Sequence, residues 1–231
     1  VLTMMKTMIK CATIVCFLFF SAISAIAQVA LKSEGRDAQY VETIKARSQK
    51  IVNGLKLADA QQAENVCHII ANRYFLLNDI HETCAQQKRF AKDSVADSKQ
   101  RQHIIECAER SRDAELYKHH FEFTATLSLY LNDSQVEAVK DGMTYGVVPK
   151  TYQAHLEMIP SLKDEEKTQI LAWLKEAREF AMDAENSNKK HGWFGKYKGR
   201  INNWLTARGY NLKAEREAWY KRIEQQKKTE K

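Results

Sequence analysis

Apolar residues in the first half of the chain recur at intervals of three and four. Between Asp59 and roughly Arg89, Val66, Ile69, Ile70, Leu76, Leu77, Ile80 and Cys84 follow the helical period, with the stem of Arg73 among them. Ile104, Ile105, Ala108, Leu116, His120, Phe123, Leu127 and Leu131 form a second such run. The polar stretch from Asp93 to Gln100 between them lacks Gly and Pro, so the pattern allows a helical hairpin reversing near Val95 and Ala96 or one long bent helix.

Helix starts are marked by Leu57-Ala58-Asp59-Ala60-Gln61, Leu131-Asn132-Asp133-Ser134-Gln135 and Leu162-Lys163-Asp164-Glu165-Glu166. Each puts short polar or acidic residues ahead of an amphipathic run, and Asn132 with Gln135 has the spacing of a capping box. No fixed period separates them, which excludes a solenoid. After the third start, Ile170, Leu171, Trp173, Leu174, Ala177, Phe180 and Ala181 predict a deeply docked helix, and Trp173, Phe180, Ile201, Trp204 and Leu205 are expected in the core.

Five of the eight glycines lie in two clusters, Gly142 with Gly146 and Gly192 with Gly195 and Gly199. The first predicts a loop from Gly142 to Thr151, ended by Val148-Pro149, because proline cannot continue a helix made on its N-terminal side. In the second, a helix starting near Gly195 puts Tyr197, Ile201, Trp204 and Leu205 on a buried face. It lines Lys196, Arg200 and Asn203 along another, with His191 and Trp193 in the preceding loop.

With 44% hydrophobic and 28% charged residues in 231, the chain can bury a core, and only 8 Gly and 2 Pro argue against turn-rich all-β classes. The expectation is all-α: an irregular multi-helix bundle of about five to seven helices in a single domain over residues 41–222. A flexible segment is expected at 28–40 and a basic tail at 223–231. Lys6 and Lys10, the apolar run Cys11 to Phe20 and the small residues ending at Ala27 have the order of a signal peptide, 1–27, so a periplasmic or secreted location is expected. No later segment is apolar enough to span a membrane. From Lys189 to Lys231 there are 13 bases against 4 acids, an anion-attracting end. Nucleic acid is disfavoured for an exported protein; an acidic or neutral oligosaccharide is the partner expected.

Cys67, Cys84 and Cys107 follow the leader. Cys67 and Cys84 stand on one helix roughly 25 Å apart and cannot bond, whereas Cys84 and Cys107 can form a disulfide if the chain reverses midway. Cys67, at an apolar position, is read as a small core residue rather than a nucleophile. His81 lies beside Asp79 and Glu82, and His119 adjoins His120, but no metal-ligand spacing occurs. No metal or other cofactor is expected. Asp79, Asp141 and Glu179 are carboxylates a glycosidase could use, with no motif selecting a pair. No catalytic residue is assigned.

Three stretches resemble a known family: Asp141-Gly142-Met143-Thr144-Tyr145-Gly146-Val147-Val148-Pro149, Ile170-Leu171-Ala172-Trp173-Leu174 with Glu176-Ala177-Arg178-Glu179, and Trp193-Phe194-Gly195-Lys196-Tyr197-Lys198-Gly199-Arg200-Ile201-Asn202-Asn203. They are similar to the secreted bacterial domain-of-unknown-function family 3826, loosely described as sugar-binding, over roughly Ile51 to Arg222. That resemblance implies carbohydrate association and supplies no catalytic residues. Combined with the glycine clusters, the candidate ligand-binding set is Tyr145, His191, Trp193, Lys196, Tyr197, Arg200 and Asn203. The functional expectation is an exported, non-catalytic carbohydrate-associated protein. Its alternatives are a periplasmic helical chaperone, since the L-x-D-x-[QE] starts resemble the LTxxQ signature, and a glycan-active enzyme.

Overall fold

The computed structural model describes residues 28–229, which form eight helices and no strands. The expected signal peptide, residues 1–27, lies outside the described residues. In chain order the helices are α1 (Ala38–Leu55), α2 (Ala60–Ser94), α3 (Ser98–Ser128), α4 (Asp133–Met143), α5 (Val147–Met158), α6 (Asp164–Met182), α7 (Ser187–Ala207) and α8 (Leu212–Thr229).

Most starts are set by a short polar side chain accepting a backbone N–H of the first turn, which satisfies donors that the helix itself leaves unpaired. Asp37 accepts from Tyr40, Asp59 from Gln61 and Gln62, Asp97 from Gln100, and Asn186 from Lys189. Asn132 and Gln135 make the expected reciprocal capping box. At the third start, Glu166 accepts from the Lys163 N–H at 2.9 Å.

Two apolar cores meet at α6. One gathers Val52, Val66, Ile70, Phe123, Leu127, Val139 and Met143 from α1 to α4, closed by Met182 at the end of α6. The other gathers Val148 and Met158 from α5, Ile170, Leu174, Ala177 and Ala181 from α6, and Phe194, Tyr197, Ile201 and Leu205 from α7. Ala177 and Ala181 are fully buried, and such small side chains let α7 approach closely enough for Phe194 to fill the space beside them.

Several expectations are corrected. The helices number eight rather than five to seven, and the region read as one loop from Gly142 to Thr151 is a three-residue turn between two of them. Gly142 belongs to α4, where a Cβ would come within 2.9 Å of Ile51 Cγ2. Pro149 sits in the first turn of α5, where the missing N–H has no intrahelical acceptor to lose. The reversal is made by two successive left-handed residues, Tyr145 (φ 62°) and Gly146 (φ 64°), with the Gly146 N–H bonded to Asp141 O at 2.8 Å.

Residues 28–37 are not a loose segment. Asn65, His68 and Asn72 form a row on α2 that holds the extended chain: Val29 N–H donates to Asn65 Oδ1 (2.8 Å), His68 Nδ1 meets Val29 O (2.7 Å), and Asn72 bonds both Lys32 N (2.8 Å) and Ala30 O (2.9 Å). Arg36 then clamps Asp79 with both guanidinium ends, at 2.8 and 2.6 Å. At the other end, α8 continues through the stretch read as a tail, to Thr229.

The hairpin alternative is the observed one. α2 and α3 run antiparallel through the break at Val95–Asp97. All three described cysteines are free, so Cys84 and Cys107 are not bonded: Cys84 is buried within the hairpin, while Cys107 is exposed on it. Cys67 is a buried core residue as expected, and burial pushes its thiol pKa up, away from nucleophilic use.

Candidate functional site

α7 carries most of the sequence-derived site, but as one unbroken helix rather than a loop followed by a helix. Gly192, Gly195 and Gly199 lie inside it, and a Cβ at any of them would meet nothing within 4 Å. They punctuate its solvent face and break nothing. His191 and Trp193 are therefore helical, and at about 100° per residue they stand roughly 200° apart around the axis. This divides the candidate set.

On one flank, His191 stacks on Tyr145 with ring centroids 5.4 Å apart and planes at 15°. The left-handed backbone at Tyr145 presents that ring, and its carbonyl accepts from Lys150 Nζ at 3.1 Å. On the other flank, α6 and α7 build a belt of rings and cations. Trp193 stacks on Phe180 (4.6 Å, 17°), and Lys196 Nζ lies 5.2 Å from the Trp193 centroid. The Arg200 guanidinium lies 4.5 Å over Trp173 and 5.8 Å from the Tyr197 ring. Trp173 meets Trp204 edge-on at 5.2 Å, and Arg208 caps Trp204 at 4.8 Å.

Phe180 corrects the core expectation: it is 46% exposed because it stands on the belt, while Trp173 and Trp204 are half-buried. Ile201 and Leu205 are buried as expected. Tyr197 is also buried, and burial together with its hydrogen bond to Glu176 pushes its phenol up to about 12. It supports the belt from beneath. Lys196, Arg200 and Asn203 are all exposed, in the expected row. Glu176 approaches Arg200 at 3.6 Å, a loose pairing in water.

A second polar cluster, unannounced by any motif, lies between α4 and α6. Arg178, fully buried on α6, bonds Asp141 Oδ1 and Glu137 Oε2 of α4, both at 2.7 Å. Burial pushes Glu137 up, but bonds from Arg178 and Lys175 overcome it and bring that carboxyl down to about 2. Lys140 meets Glu179 at 3.2 Å. Below them, Arg73 of α2 donates to Asp183 at 2.5 Å and to His119 O at 2.9 Å, while His120 Nδ1 meets Asp183 at 2.7 Å. These partners are 37 to 110 residues apart, so no local spacing could have announced them. The three carboxylates considered for glycoside hydrolysis are all held by arginine or lysine: Asp79 by Arg36, Asp141 by Arg178 and Glu179 by Lys140. Among the described residues no group of three or more His, Cys, Asp or Glu is placed to hold a metal ion.

A family model described as a protein of unknown function (DUF3826) matches residues 41–225. The chain belongs to the DUF3826 family. No curated protein matches it. The DUF3826 match begins in α1 and ends in α8, so the α6–α7 belt, the charged cluster and the α2–α3 hairpin all lie inside it. No described helix is long and apolar enough to cross a membrane.

Proposed function

We propose that this DUF3826 protein is an exported, non-catalytic binding protein for acidic glycans, and that Trp193, Lys196, Arg200 and Asn203 on the α6–α7 belt form its contact surface. The observation that carries this reading is Arg200. Its guanidinium rests on Trp173 at 4.5 Å, yet its side chain is 53% exposed and its acidic neighbour Glu176 stands off at 3.6 Å. A guanidinium held against an aromatic face has little rotamer freedom left to lose, and its planar fork matches a carboxylate or sulfate. The export part of the proposal rests on the leader-like residues 1–27. Tyr145 and His191, across the helix, stand outside this surface. In the starts that resemble the LTxxQ signature, Asp59 and Asn132 cap helices; the chaperone reading is separated from glycan binding by the assay.

The test is melting temperature against a panel of acidic and neutral oligosaccharides. At 100 times its dissociation constant a ligand stabilises the fold by ~2.7 kcal/mol. Arg200→Ala and Trp193→Ala should abolish the acidic-glycan shift while leaving the unliganded melting temperature within a few degrees. A shift that survives both substitutions refutes the site. New reducing ends would assign an enzyme, and suppressed aggregation of a client protein without any glycan shift would assign a chaperone.

A further inference from the structure

The extended segment 28–37 closes one side of a cleft. Its Val29, Lys32 and Arg36 form one wall, Ile69, Arg73 and Leu76 of α2 form the floor, and His119, Glu122 and Thr126 of α3 form the other wall. The space between them is about 320 Å³, enough for one small molecule. The bonds from the Val29 and Lys32 N–H groups to Asn65 and Asn72 fix the first wall, and the clamp of Arg36 on Asp79 holds its far end.

One donor in the floor lacks a partner. Arg73 is 4% exposed; it donates from Nη1 to His119 O and from Nη2 to Asp183, and its buried Nε has no acceptor. A buried N–H of a charged group is costly to leave unpaired, so the cleft calls for an acceptor at this floor.

The two walls carry opposite charge. Lys32 is exposed, and its ammonium makes no hydrogen bond or ion pair with a described residue. On the α3 wall, Glu122 Oε2 meets His119 Nδ1 at 2.6 Å, which leaves Oε1 and the lone pairs of Thr126 Oγ1 to accept further bonds. The His119 bond, aided by the charges of Lys32 and Arg73, holds the Glu122 carboxyl below its usual range despite burial, so it is an anion at neutral pH.

The floor narrows the ligand further. Guanidinium groups cover the two rings of the cleft, Arg36 over Phe75 at 4.6 Å and Arg73 over Phe123 at 5.6 Å, and both rings are otherwise buried. A sugar therefore finds no open aromatic face to stack on, and the apolar contacts come from Val29, Ile69 and Leu76. A simple anion would meet Glu122 and Asp79 as well as the cations. An uncharged apolar molecule would leave Arg73 Nε and Lys32 without acceptors.

We propose that this cleft binds a small zwitterion, a free α-amino acid with an apolar side chain. Its carboxylate accepts from Lys32 and from Arg73 Nε, its ammonium donates to Glu122 Oε1 and Thr126 Oγ1, and its side chain lies on Ile69 and Leu76. The cleft shares no residue with the α6–α7 belt, and the proposal holds whether or not the belt binds glycans.

The experiment is titration calorimetry of the full exported chain with L-leucine, L-isoleucine and L-phenylalanine at millimolar concentration, beside their N-acetyl and methyl-ester forms and a panel of monosaccharides. Saturable heat is expected with at least one free amino acid. Blocking either its amine or its carboxylate should weaken binding about tenfold to a hundredfold, because each removes charge-assisted bonds. Lys32→Met and Glu122→Gln, both at exposed positions, should weaken it by a similar factor and leave the unliganded melting temperature unchanged. The absence of saturable heat with every free amino acid overturns the proposal, as does binding indifferent to the blocking groups or to both substitutions. Monosaccharide binding that Lys32→Met abolishes overturns the ligand class and gives the cleft to a sugar.

Discussion

Lys190, in the first half of α7, is 6% exposed. Its Nζ donates to the carbonyls of Met143 and Met182, at 3.2 and 3.5 Å, where α4 and α6 end and their last carbonyls lack helical partners. The Tyr74 ring stands 5.8 Å away. Burial lowers the ammonium from 10.5 to about 8, against the attraction of Asp183 and with the repulsion of Arg47 and Arg73. Between about pH 8 and 10.5 the unfolded chain therefore holds a proton that the folded protein has released, so stability rises with pH across that window. Below it both states are protonated, and the cost of the buried charge is present in full. At ~1.4 kcal/mol per pH unit the relief is on the order of 3 kcal/mol. Urea unfolding of the parent chain and of Lys190→Met, compared from pH 7.5 to 10 in small steps, isolates this group, because other lysines and tyrosines titrate alike in both proteins. The loss of two carbonyl partners in Lys190→Met offsets the two curves by a constant and leaves their divergence intact. Tyr74, pushed up to about 12 by burial, stays protonated throughout. The parent should gain on the variant by about 2 to 3 kcal/mol over the range. A difference that stays flat with pH refutes the assignment of a destabilised ammonium to this site.

Arg178→Met leaves Glu137, Asp141 and Glu179 converging on a buried space without their shared cation, and chemical denaturation should show a loss of about 3 to 5 kcal/mol at pH 7. The glycines divide by backbone conformation. Gly195→Ala and Gly199→Ala, in open helical positions, should each stabilise by about 0.5 to 1 kcal/mol, whereas Gly146→Val, at φ 64°, should destabilise by about 1 to 2 kcal/mol in thermal melts.

These glycines also mark where sequence reading stops. Helix existence was legible because periodicity and caps are local: Asp59, Asn132 and Lys163 announce starts that the structure uses. Glycine carries no such direction. The same residue type permits a left-handed turn at Gly146, a close approach to Ile51 at Gly142 and plain exposed helix at Gly195, and only the neighbours in space decide among them. Proline misled for a related reason, since Pro149 ends helices only from their interior and is tolerated in the first turn where it stands.

The candidate site was legible along α7 and illegible across it. The spacing of Lys196, Arg200 and Asn203 is a property of one helix, and their exposure followed from it. What those side chains rest on came from α6: Phe180 joined Trp193, and Trp173 came under Arg200, through a helix pairing set by Ala177 and Ala181. A spacing of two also decides that His191 and Trp193 diverge, once α7 is known to start at Ser187 rather than near Gly195. The cap at Asn186, accepting from the Lys189 N–H at 3.1 Å, is what moves that start. It converts one loop-borne aromatic cluster into two opposed faces, and a ligand resting on Trp193 and Arg200 has no path to Tyr145.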